Sequence, residues 1–258
     1  MTRLKSYTIN LLLTLSVLAL SSCHSYKTLN TDSVFPVESF AYIQVKVKYK
    51  AQQCIPPKGE KKCSYDIAEL PVLTAAGSGS GAVVRVQKNG TYVLTAAHVC
   101  REELDKKVSM PDGSVIVAKG TIQINTIDYY GITRSSKEIA IDKEADLCIL
   151  KTNPGWGEAI PLASRPPDIS DPVYNIAAPL GIFMPGMVLT FEGRYTGRYK
   201  KNMYFTLPVR PGSSGSCVMN EDGEIVSMIH SAFVRLEHVG IGTDFYDILA
   251  IMSTIPSD

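Results

Sequence analysis

The chain has 258 residues, with 26 Lys and Arg against 25 Asp and Glu, a formal net charge of +1, and 45% hydrophobic side chains. So even a balance excludes the polybasic footprint of a nucleic-acid binder, and no nucleic-acid partner is expected. The apolar share is ample for a substantial core.

At the N-terminus Arg3 and Lys5 precede an apolar run from Leu11 to Leu20, closed by the small pair Ser21 and Ser22. Such a run is too short to cross a bilayer as a mature helix and reads as an export signal over residues 1–22. The segment Leu20-Ser21-Ser22-Cys23 resembles a bacterial lipobox. That resemblance implies cleavage before Cys23, lipid attachment to its thiol, and a membrane partnership through that lipid. His24 stands where an Asp would signal inner-membrane retention, which favours the outer membrane or the cell surface. Residues 23–35 are small and polar and read as a tether. Removing residues 1–22 leaves 236, a length that all-β proteins often fill as one domain.

From Phe40 the pattern is that of strands. Ala41 to Tyr49 alternates apolar and polar with period two. Cys54 and Cys63 bracket a Pro/Gly loop and are candidates for a local disulfide in an exported protein; no companion pair or histidines give them the spacing of a metal site, and no cofactor motif is present. Further β-type runs are expected at 80–86, 92–95, 115–118, 122–127, 147–151, 187–193, 203–207, 217–219 and 225–229, with a crossover at 161–172 and a short amphipathic helix near 244–252. Gly, Pro, Asn and Asp punctuate these runs. The series predicts an all-β antiparallel barrel or sandwich.

Serine-based hydrolysis needs a nucleophile, a base to take its proton, a carboxylate to orient that base, and donors for a developing oxyanion. Gly79-Ser80-Gly81-Ala82-Val83-Val84 and Tyr92 to Val99, the latter containing Ala96-Ala97-His98, are followed by Ala145-Asp146-Leu147 and by Pro211-Gly212-Ser213-Ser214-Gly215-Ser216. Asp146 lies 48 residues after His98, and Ser214 lies 68 after Asp146. Together these segments resemble the trypsin-like, chymotrypsin-fold serine peptidases, over roughly residues 75–250 and nearest the glutamyl-endopeptidase and HtrA-like branches. The resemblance implies two antiparallel six-stranded β-barrels with a short C-terminal helix, at about 36–160 and 170–258 within a peptidase domain of residues 36–258. It also implies a His98-Asp146-Ser214 triad, an oxyanion hole from the Gly212 and Ser214 N–H groups, and protein or peptide substrates.

Alternatives accompany each assignment. Ser213 and Ser216 neighbour Ser214, but the bracketing Gly212 and Gly215 select Ser214. Asp142 and Asp128 are the other candidates for the third member, and Asp146 is preferred because it opens an apolar run. A catalytically idle barrel serving as adhesin or envelope scaffold is the rival from another class, although no residue of the constellation is missing. Ser213 replaces the acidic residue that zymogen trypsins carry before the nucleophile, so no proteolytic activation is expected. His230 is aligned with the pocket histidine of glutamyl endopeptidases, and with Ser231 and Val209 it is expected to line the primary specificity pocket. A Glu or Gln side chain and a small apolar one both stay open there, with a lean to the former, while Pro208 in place of a basal Asp disfavours Arg and Lys. Cys100, Cys148 and Cys217 follow the three candidate residues closely and are read as a buried cluster of small apolar groups, in which at most one pair can bond.

Overall fold

The computed structural model describes residues 35–55, 66–100, 105–111, 114–233 and 235–256. The signal segment, Cys23, most of the tether and Cys63 lie outside them.

The first half is a run of antiparallel strands: β1 (Phe40–Ile55), β2 (Asp66–Glu69), β3 (Leu73–Gln87), β4 (Gly90–Ala96), a single helical turn α1 (Ala97–Cys100), then β5 (Asp105–Ser109), β6 (Val115–Asp128), β7 (Thr133–Asp142) and β8 (Leu147–Thr152). They form one sheet in the order β2-β1-β3-β4-β8-β7-β6-β5, and β1 pairs again with β6. Tyr42, for instance, lies opposite Ser80 on one side and Ile127 on the other. That double pairing closes β1, β3, β4, β8, β7 and β6 into a six-stranded barrel. The second half comprises β9 (Pro172–Ala177), β10 (Leu189–Tyr199), β11 (Asn202–Phe205), β12 (Cys217–Met219), β13 (Ile225–Phe233), β14 (Leu236–Thr243) and the helix α2 (Phe245–Met252). Its strands close in the order β10-β11-β14-β13-β12-β9. The architecture is therefore two closed six-stranded antiparallel β-barrels with two short helices.

Most predicted strands are present, with different ends. The runs at 115–118 and 122–127 are one continuous strand, β6, because Gly120 does not interrupt its pairing with β1. Two strands carry no alternating signal. Strand β7 reads Thr-Arg-Ser-Ser-Lys-Glu in its first six residues, and its place is set by ladders to β6 and β8 and by the buried contact of the Ser136 and Thr126 hydroxyls at 3.0 Å. Strand β14 carries Gly240 and Gly242 where it is closely packed: a Cβ on Gly242 would stand 2.4 Å from Ser227 Oγ and 3.0 Å from the Met228 carbonyl oxygen. Helix α2 starts as predicted, with the Asp244 side chain accepting from the Tyr246 N–H as N-cap.

Two apolar clusters result. One fills the second barrel with Val173, Met203, Phe205, Leu207, Val218, Ile229 and Phe245. The other fills the first barrel and extends to Cys217, Met219 and Met228 of the second and to Ile248, Ile251 and Ile255 at the C-terminus. Burial of each such large aliphatic side chain is worth about 1.5–3 kcal/mol.

Candidate active site

Antiparallel pairing decides where the first two candidate residues meet. Strand β4 pairs with β8 so that Ala96 faces Leu147; the residue just past the end of β4 is thereby beside the residue just before the start of β8. His98, in α1, donates its backbone N–H to Asp146 Oδ1 at 2.9 Å, and its Nδ1 lies 2.7 Å from Asp146 Oδ2. The Asp146 carbonyl accepts from the Ala97 N–H at 3.0 Å. Asp146 adopts φ 54°, a left-handed turn residue, and both carboxylate oxygens thus point at one neighbour. Burial pushes its carboxyl up, but the hydrogen bonds from the His98 ring and backbone, with the charges of His98 and His230, outweigh this and hold it below the usual carboxylate range. The other two candidates are engaged elsewhere: Asp128 pairs with Arg134 at 2.7 Å, and Asp142 accepts the N–H groups of Glu144 and Ala145 in its own turn.

Cys100 and Cys148, two residues after His98 and Asp146, are disulfide-bonded, and Cys217 is the one free thiol among the described residues. The one bond that three such thiols allow is thus between Cys100 and Cys148, and it leaves Cys217 as a buried thiol. The close approach of α1 to β8 puts the residues two beyond His98 and two beyond Asp146 at a Cα–Cα distance of 6.5 Å, within disulfide reach. Burial pushes the Cys217 thiol up to about 12, leaving it an inert core group. Cys54 is also disulfide-bonded, while its predicted partner Cys63 lies outside the described residues.

Ser214 sits on the loop between β11 and β12. The Ser213 and Ser216 side chains are fully buried: the Ser213 hydroxyl accepts a long bond from the Arg210 N–H, and Ser216 accepts from Asn175 Nδ2 at 2.9 Å. Of the three serines, Ser214 alone faces the cleft that His98 also lines, together with Val45, Ser78, Val99 and Pro211. Its hydroxyl donates a long 3.4 Å bond to the His230 carbonyl oxygen. Gly212 and Gly215 have φ of 98° and 89°. A Cβ on Gly215 would stand 2.1 Å from the Ser80 carbonyl oxygen, so only glycine fits where the loop presses on the first barrel. Neither the Gly212 nor the Ser214 backbone N–H donates to another described residue.

A further positioning residue is missed by the motif reading. Ser80, inside β3, donates its hydroxyl to the Gly212 carbonyl at 2.8 Å and accepts from the Ala178 N–H at 3.0 Å, while its own N–H donates to the Ser214 carbonyl at 2.8 Å. It ties the Ser214 loop to the barrel carrying His98 and Asp146. A buried serine between two glycines is the only sequence signal of that role.

Ser214 also lines a second cavity, which His98 does not reach, walled by Val209, Arg210, Pro211, Ser231, Ala232, Phe233 and Arg235. Two of the three expected pocket residues, Val209 and Ser231, are there. His230 is not. Strand β13 bulges at His230, between the Ile229–Gly242 and Ser231–Ile241 pairs, and the His230 Nδ1 lies 3.0 Å from Ser231 Oγ. Burial pushes its imidazole down, partly countered by the Asp146 charge.

The family model described as "Trypsin-like peptidase domain" matches residues 79–228. The chain belongs to the trypsin-like peptidase family. Within it, the chain is similar to "Serine protease HtrA-like" of Staphylococcus aureus strain USA300, at 24% identity over 170 residues, 58% of this chain and 20% of that protein. The same figures hold for the namesake in strain NCTC 8325. The chain spans about a fifth of the length of these curated relatives. Among solved structures, the serine endoprotease from Yersinia pestis shares the fold at TM-score 0.59 with 18% identity, covering 88% of this chain and 66% of that one. The Rv3671c protease from M. tuberculosis in its active form does so at TM-score 0.59 with 14% identity, over 91% and 88%. This trypsin-like chain thus has the two-barrel frame of that family around its candidate site.

Proposed function

We propose that this chain is a serine endopeptidase that cuts protein or peptide substrates with a His98-Asp146-Ser214 triad, held to the bacterial envelope by a lipid on Cys23. One observation carries the catalytic part: a serine in a glycine-bracketed loop, with two undonated N–H groups beside it, shares a cleft with a histidine whose Nδ1 is fixed 2.7 Å from a carboxylate. In the reaction Ser214 Oγ turns from the His230 carbonyl toward His98 and attacks the substrate carbonyl carbon as His98 Nε2 takes its proton. Asp146 holds the Nδ1–H tautomer and stabilises the imidazolium that forms. The new oxyanion accepts from the Gly212 and Ser214 N–H groups, which are positioned in advance by the Ser80 bonds. His98 then protonates the leaving amine, and water, activated by the same imidazole, hydrolyses the acyl-enzyme.

A fluorophosphonate probe is expected to label Ser214, and Ser214→Ala or His98→Ala should each lower casein hydrolysis by about 10⁴-fold or more with melting temperature nearly unchanged. Retained hydrolysis in Ser214→Ala would remove the nucleophile assignment. The anchoring part rests on the Leu20-Ser21-Ser22-Cys23 segment. Cys23→Ala should move the protein from the membrane to the soluble fraction, since several acyl chains hold stably where one does not. Membrane association that survives the substitution would count against the lipid.

A further inference from the structure

The cavity beside Ser214, about 440 Å³, lies where the side chain preceding the cut bond must go, and its chemistry is one-sided. Val209, Pro211, Ala232 and Phe233 give apolar walls and Ser231 a hydroxyl, while both charges in the lining are guanidinium groups, Arg210 and Arg235. No described lining residue carries a carboxylate. Arg235 occupies the tight turn joining β13 to β14, where Phe233 pairs with Leu236. Its φ of 72° is a conformation that side-chain-bearing residues rarely adopt. It is exposed and forms no ion pair or hydrogen bond among the described residues, unlike Arg85, Arg134, Arg165, Arg194 and Arg198, each of which donates to an acceptor.

A guanidinium at the mouth of a partly apolar pocket repels a Lys or Arg side chain and attracts a carboxylate, with which its planar fork can make paired hydrogen bonds. We propose that this pocket selects an acidic side chain, Glu or Asp, at the residue whose carbonyl Ser214 attacks, with Arg235 as its principal recognition group and Arg210 assisting. The assignment rests on the endopeptidase reading above. It replaces His230 as the source of polar selectivity, since His230 does not line this pocket.

Two measurements separate this inference from the reading under it. Fluorophosphonate labelling of Ser214 and fragmentation of casein test whether the chain is a peptidase at all; if both fail, the proteolytic reading falls and this inference with it. Mass spectrometry of the casein fragments and kinetics on matched peptides differing only in Glu, Gln, Asp, Asn, Leu or Lys before the cut bond test the pocket. The acidic peptides should show kcat/KM about 10-fold or more above their amide counterparts, mainly through KM. Added salt should narrow that gap, because the contact is partly exposed. Arg235→Gln, which leaves the backbone demand of the turn unchanged, should bring the acid-to-amide ratio toward one, and Arg235→Glu should move preference toward Lys. Cleavage of casein chiefly after neutral or basic residues, or a Glu-to-Gln ratio unchanged in Arg235→Gln, would overturn the inference while leaving the peptidase intact.

Discussion

Asp146 is acted on by two imidazoles, those of His98 and His230, and both hold its carboxyl down. The His98 bonds lower the carboxyl's affinity for a proton, so its contribution to stability is present above its ordinary value of 3.8 and is lost as pH falls through the lower folded value. His230 is also lowered, from an ordinary 6.5, chiefly by burial. Below 6.5 the unfolded chain takes up a proton that the folded chain refuses, so the folded state loses stability as pH falls until His230 protonates in place. In His230→Gln, urea midpoints should therefore fall less between neutral and mildly acidic pH than in the wild type; parallel curves would show that the ring carries no such penalty. The residue scale is also where sequence reading succeeds and fails most sharply. Ser214 is legible because two glycines with positive φ frame it and leave its neighbours buried. His230 is not, because it stands in a bulge of β13 that no sequence pattern announces. Arg235 gives no signal of its own, since its place at the pocket mouth is made by a hairpin whose second strand has no strand-like pattern.

Elements bring the site together by pairing. The β4–β8 ladder sets His98 beside Asp146, and the Cys100–Cys148 bond crosses the same junction. Strands with apolar alternation, such as β1, are readable along the chain; β7 is not, because its polar residues are held by neighbours on both sides and by buried hydroxyl contacts. The disulfide was likewise beyond sequence reading, as three thiols allow several pairings and only the approach of α1 to β8 selects one. It closes a loop spanning 48 residues, for which loop-closure entropy gives a stabilisation of about 4 kcal/mol. The double variant Cys100→Ala, Cys148→Ala should accordingly lose about 2–5 kcal/mol in urea denaturation. Thiol reductant should then leave its midpoint unaffected by this bond. A midpoint equal to that of the oxidised wild type would mean that the bridge constrains little, the ladder alone holding His98 to Asp146.

At the scale of the whole molecule the two barrels are joined by more than the crossover at residues 153–171. Closure of the first barrel needs β1 to find β6 across sixty or more intervening residues, a pairing that no local pattern announces; the family resemblance carried it instead. The chain then returns: after the second barrel, α2 and the residues beyond it place Ile248, Ile251 and Ile255 in the first barrel's apolar cluster. Arg85 of β3 donates to the Ile255 carbonyl at 3.0 Å, and Gln87 donates to that of Pro256 at 2.7 Å. The C-terminal segment therefore acts as a strap from the second barrel onto the first, and the Ser80 bonds to the Ser214 loop act as a second tie at the cleft itself. Cores shared in this way unfold together. Ile255, 4% exposed, should cost about 2–5 kcal/mol on replacement by Ala, and calorimetry should show one transition moved to lower temperature, with fluorophosphonate labelling of Ser214 lost along the same curve. Two separated transitions, with labelling lost in only one of them, would mean that the barrels fold as independent units and that the strap packs onto the first without coupling it to the second.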